Sequence, residues 1–232
     1  MPASKRARFS TILAGAAKVP SSWTKSKTPN GAGRTAKNCF VTKAATRSGL
    51  SENRKHRLHR KIQRAFRSVP YPGGDNIAAR GWGCDPLTAA EVERDFKGKH
   101  WMDLQKKCNE WFRRRYYALG AMTPQAFHFY LPAFALKTIG TDCREALDLV
   151  PDWVIYYLTP PDNRNSLLKK WHVDRVRLLD KNQLRALAHF IDFLDLELEQ
   201  GDPFARDLAR ARRSFQRRIR LREHIRRATS TL

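Results

Sequence analysis

Acidic residues are absent from the first 51 positions of this 232-residue chain, and Glu52 stands alone before Asp75. A segment without carboxylates cannot neutralise itself, so its positive charge is left for solvent or a partner. Paired cysteines are missing as well. Cys39, Cys84, Cys108 and Cys143 never form a C-x-x-C. That excludes a zinc knuckle or a disulfide scaffold and reads as isolated thiols in a reducing, cytoplasmic setting. No apolar run approaches the ~18 residues of a membrane span. Ile12 to Ala17, after Lys5, Arg6 and Arg8, is too short for a signal peptide and is closed by Lys18. The acid-free start imitates a transit peptide in composition, but nothing else points to an organelle. Neither Gly73-Gly74 nor Gly81-x-Gly83 is followed by Gly-Lys-Ser/Thr, so no phosphate loop is present.

What the chain does have is basic charge, unevenly placed. Residues 1 to 67 hold 17 Lys and Arg against Glu52 alone. Residues 206 to 232 hold ten Arg against Asp207 and Glu223. The remaining stretch carries 18 basic and 19 acidic residues, so the surplus of +23 belongs to the two ends. Dense positive segments attract polyanions by releasing condensed counterions, which makes DNA or RNA the first expected partner. An acidic protein is the alternative, and a solubilising extension would have the same composition.

Apolar spacing predicts a mainly α protein: a disordered basic tail over 1–50, a compact multi-helix domain over 51–202, and an Arg-rich amphipathic helix over 203–232. Few large apolar residues occur before Ser51, too few to offset chain entropy. Ser51 is an expected N-cap, followed by the stripe Leu58, Ile62, Ala65, Phe66 and Val69. Thr88-Ala-Ala-Glu91 and Asp180-Lys-Asn-Gln183 both read as capping boxes. Trp101 to Leu119 is expected as one helix. Thr123 caps the next and Pro124 opens it, Phe127, Tyr130, Leu131 and Phe134 facing inward and Pro132 kinking it. Val154 to Leu158 reads as a short helix or a strand, the preceding Pro151-Asp152 favouring helix. Leu184, Leu187, Ala188, Ile191, Leu194 and Leu198 form the stripe of the last domain helix, ended by Gly201 and Pro203. Phe204, Leu208, Ala211, Phe215 and Ile219 then continue at helical spacing among arginines.

Ala65-Phe-Arg-Ser-Val-Pro70, Gly98-Lys-His-Trp101-Met-Asp103, Thr123-Pro-Gln-Ala-Phe-His-Phe-Tyr-Leu-Pro-Ala-Phe134 and Leu158-Thr-Pro-Pro161 together carry a resemblance. With the capped helix at Gln183, they are similar to a family of small bacterial proteins catalogued only as a domain of unknown function. The similarity spans roughly 55 to 198. It implies a bacterial, mainly helical module and implies no activity or cofactor.

Arg210, Arg213, Arg217, Arg218, Arg220 and Arg222 are the first candidate nucleic-acid contacts, because Arg forks hold phosphate oxygens without reading sequence. Lys55, Arg57, Arg60 and Lys61 are the second set. Trp82, between two glycines, is a candidate exposed anchor for a partner, whereas Trp101 and Trp111 sit on core stripes. His56 and His59 share a helix side, but the surrounding cations disfavour a metal ion. Cys84 beside Asp85, and His128 among aromatic residues, do not make a catalytic constellation. The expectation is a binding module without a metal or cofactor.

Overall fold

The computed structural model describes residues 40–80, 84–140, 150–161, 166–197 and 205–230. Ten helices lie among them: α1 (Phe40–Phe66), α2 (Pro86–Phe96), α3 (Trp101–Leu104), α4 (Asn109–Arg113), α5 (Ala118–Ala121), α6 (Pro124–Gly140), α7 (Val150–Leu158), α8 (Ser166–Val176), α9 (Lys181–Glu197) and α10 (Ala205–Ser230). The only extended pairing among the described residues is two isolated bridges, Ala78 with Met122 and Arg80 with Cys84.

Helix α6 is the axis of the domain and packs on α1, α3, α5, α7 and α8. Its sequence explains why. Beyond the inward stripe, Ala126, Phe129, Ala133, Ala135, Leu136 and Ile139 are buried too. A helix apolar on every side has to be surrounded. Its start follows the expected chemistry: the Thr123 hydroxyl accepts from Ala126 N–H at 3.1 Å and donates to the Asn76 carbonyl at 2.7 Å. The helix continues through Pro132. Below it, Phe96 meets the rings of Trp111, Tyr130 and Phe134. Tyr130 Oη donates to the Phe96 and Lys99 carbonyls at 2.6 and 2.9 Å, satisfying the end of α2.

Several expectations are corrected. Ser51 does not start a helix; α1 begins at Phe40 and runs through it. Of the tail expected over 1–50, residues 1–39 lie outside the described residues. The cap of α2 lies three residues before Thr88, at Asp85, and the helix begins at Pro86. The Asp85 carboxylate accepts from Thr88 N–H at 2.9 Å and from the Thr88 hydroxyl at 2.5 Å, and Pro86 fills the first turn. Glu91 instead accepts from Tyr117 Oη at 2.6 Å. The stretch Trp101 to Leu119 is broken into separate short helices, α3, α4 and the start of α5. Arg113 and Arg114 turn to Glu110, while Arg115 bonds Asp95 at 2.7 Å and lies over the Trp111 ring. Those side-chain pairings replace a continuous outer helical face. Val154 to Leu158 is helical, within α7.

Two helices flank α9: α1 on one side and α10 on the other. The capping box at its start forms as expected. Gln183 N–H reaches Asp180 Oδ1 at 2.8 Å, and Asp180 N–H reaches Gln183 Oε1 at 2.9 Å. The buried Gln183 does more than cap. Its Oε1 lies 2.8 Å from His128 Nε2, and its Nε2 donates to the Ala65 carbonyl at 3.2 Å. One amide therefore ties α9 to α6 and to the end of α1.

Candidate polyanion-binding surfaces

Helix α10 is docked, not a free arm. Leu208, Ala211 and Phe215 are fully buried against the body, with Ile219 partly so. Burying the two large side chains alone contributes about 3–6 kcal/mol gross, enough to hold the helix down. Docking sorts the arginines expected to act as one set. Arg212, not among the residues expected from sequence, forks onto Asp192 at 2.8 Å and Asp195 at 3.0 Å of α9. Arg210 pairs with Asp207 at 2.8 Å. Arg218 is half-buried, and burial lowers its pKa. Arg222 donates to the Arg177 carbonyl at 3.2 Å. Of the expected set, Arg210, Arg218 and Arg222 are therefore occupied or sheltered.

Arg213, Arg217 and Arg220 are exposed and have no ion-pair partner among the described residues. With exposed His224 and Arg227 they recur every three or four residues, and exposed Arg206 lies seven before Arg213, so all six share one face. From Arg206 to Arg227 this line runs about 32 Å along a straight axis.

A second cationic surface lies where α1 meets α9. Arg57, Arg60, Lys61 and Arg64 of α1 face Asn182, Arg185 and His189 of α9 across a cleft of roughly 610 Å³, with Ala65 and Ala186 between them. None of the four α1 cations has an ion pair among the described residues. Lys55, expected as part of this set, instead pairs with Glu52 at 3.0 Å and does not line the cleft. Like charges at i+3 and i+4 on a helix each cost about 0.2–0.5 kcal/mol, so this arrangement repels itself. Carboxylates bordering α9 are already shared: Glu223 with Lys181 (3.1 Å) and Arg185 (2.7 Å), Asp192 with Arg212. Burial, then the Lys61 charge, holds the His189 pKa below its usual value, while Asp192 acts the other way. Arg185 both lines the cleft and reaches α10 through Glu223, joining the two surfaces.

Sequence reasoning found Arg57, Arg60 and Lys61 but missed Arg64, Arg185 and His189. Arg64 was legible at i+3 from Lys61 and i+4 from Arg60; Arg185 and His189 come from a helix more than 100 positions away and needed the tertiary contact. Trp82 lies outside the described residues.

The other candidates have structural tasks. Cys84 is half-buried and its thiol is pushed up to about 11, chiefly by burial, which leaves it protonated at neutral pH. Its neighbour Asp85 is the cap of α2. Among the described residues, no group of three or more His, Cys, Asp or Glu is placed to hold a metal ion. No helix among them is long and apolar enough to cross a membrane. A smaller concavity of roughly 330 Å³ is lined by Asp75, Arg80, Asp174 and Arg175, among others. Arg80 there is held by Glu93, and Asp174 by Lys170. Arg175 is buried, stacked 3.7 Å from the Trp171 ring and bonded to the Met122 carbonyl. Burial brings its pKa down to about 9, still protonated at neutral pH.

No curated protein and no solved structure matches the chain. Residues 54–211 match the model of a family of unknown function (DUF6714), which extends past the 198 expected from sequence into the first residues of α10. The chain belongs to that family.

Proposed function

We propose that this protein binds nucleic acid without reading its sequence, through the exposed arginine line of α10 and the acid-free N-terminal segment. The setting proposed is the cytoplasm, in keeping with four isolated cysteines. The observation that carries the reading is the line of Arg213, Arg217 and Arg220, exposed and unmatched by carboxylates among the described residues, on a helix fixed to the body. A docked helix presents guanidinium forks already ordered, so less side-chain and backbone freedom is lost on contact. Phosphate contacts of this kind give affinity and register along a backbone but no base preference.

The test is a titration of labelled duplex DNA and single-stranded RNA with the full chain at several salt concentrations. R213Q/R217Q/R220Q should bind more weakly, and the slope of log affinity against log salt should fall by about 2–3, since three phosphate contacts are removed. Affinity and slope unchanged in this variant would remove the α10 reading. Binding indifferent to salt would remove the electrostatic one altogether. A purified acidic protein bound after nuclease treatment, with no nucleic-acid affinity, would replace it with a protein-partner role.

A further inference from the structure

The cleft between α1 and α9 has a different shape from the α10 line, and a different ligand follows from it. We propose that it is a discrete site for a small molecule carrying two or three phosphate groups. This goes beyond the nucleic-acid reading and does not depend on it.

The geometry argues for a compact, multiply charged ligand. Arg57, Arg60, Lys61 and Arg64 fall at i, i+3, i+4 and i+7, which sets four cations along about 10 Å of one helix face. Asn182, Arg185 and His189 follow the same rule on α9, so two short rows of donors face each other. A single monovalent anion would meet only part of this array. The volume, roughly 610 Å³, lies within the range of small-molecule sites. The only apolar residues of the lining are Ala65 and Ala186; the rest of the wall is the stems and polar ends of the cationic, amide and imidazole side chains. The lining holds no Phe, Tyr or Trp, and its donors are cationic, amide or imidazole groups, so recognition rests on the phosphates.

The walls also have a reason to keep their spacing. Gln183, one turn from His189's neighbour Ala186 on α9, bonds the Ala65 carbonyl at the end of α1. The site is therefore built on two helices clamped together, and a ligand would relieve repulsion among the four α1 cations, none of which is paired with a carboxylate among the described residues.

The experiment uses the full chain with inorganic tripolyphosphate and, separately, orthophosphate, by calorimetry at fixed ionic strength, with the His189 imidazole signals followed by NMR. One site per chain is expected, with tripolyphosphate binding tighter than orthophosphate and shifting His189. R57Q/R60Q/R64Q, on an exposed face where folding is undisturbed, should weaken tripolyphosphate about tenfold or more. R213Q/R217Q/R220Q should leave it unchanged. Equal losses in both variants, binding without saturation, or a His189 signal that does not move would each overturn the site. Tripolyphosphate binding that persists in a protein without nucleic-acid affinity would support the cleft while refuting the α10 reading.

Discussion

Replacing Gln183 by alanine tests whether one buried amide holds the α1–α9–α6 junction, and with it the cleft walls. Three hydrogen bonds end on that side chain: from Asp180 N–H at 2.9 Å, with His128 Nε2 at 2.8 Å, and to the Ala65 carbonyl at 3.2 Å. Asp180 is exposed, so its N–H finds water and the lost half of the capping box costs about 0.5–1 kcal/mol. His128 and Ala65 are only partly reachable by solvent, and each group left without a partner costs about 1–2 kcal/mol. Together Q183A should lose about 3 kcal/mol, a large fraction of the 5–15 kcal/mol typical of a domain. Urea melts followed by circular dichroism measure this directly. A double-mutant cycle with H128A should show coupling of about 1 kcal/mol between the two side chains. If Q183A changes stability by less than about 0.5 kcal/mol, or the cycle is additive, the junction is held by apolar packing and the amide is incidental.

Acid should weaken the fold through His172, which is buried on α8 and whose pKa is held down to about 4, first by burial and then by the Arg218 charge. Between its ordinary 6.5 and 4, the unfolded chain takes up a proton that the native chain refuses, so stability falls as pH falls. That amounts to about 2 kcal/mol from pH 7 to pH 5, and H172F should flatten denaturant midpoints measured across this window. G120A should destabilise by about 1–3 kcal/mol, because a Cβ there would sit 2.4 Å from the buried Tyr157 hydroxyl. Adding Y157F should recover part of the thermal midpoint, and no recovery would locate the strain elsewhere. R212A, which removes the fork to Asp192 and Asp195, should cost only about 0.5–1 kcal/mol because all three groups are partly solvated. Chemical denaturation checks that value, and a loss several times larger would mean the pair is effectively dry.

The helical class, the α9 capping box and the two basic ends were determined by local spacing, because each depends on residues within a turn or two of one another. Leu208, Ala211 and Phe215 likewise announced that α10 has a side to bury. Local rules misplaced the start of α2, since Asp85 outcompetes Thr88 for the same N–H groups. They also ran Trp101 to Leu119 together, where Arg115 finds Asp95 and the chain folds back. Only the tertiary structure decided which arginines remain available. Asp192 and Asp195 lie on a neighbouring helix, and they claim Arg212 while leaving Arg213 exposed. The cleft is the same case: Arg60 and Arg185 are 125 positions apart, and nothing short of packing α1 against α9 brings their charges face to face.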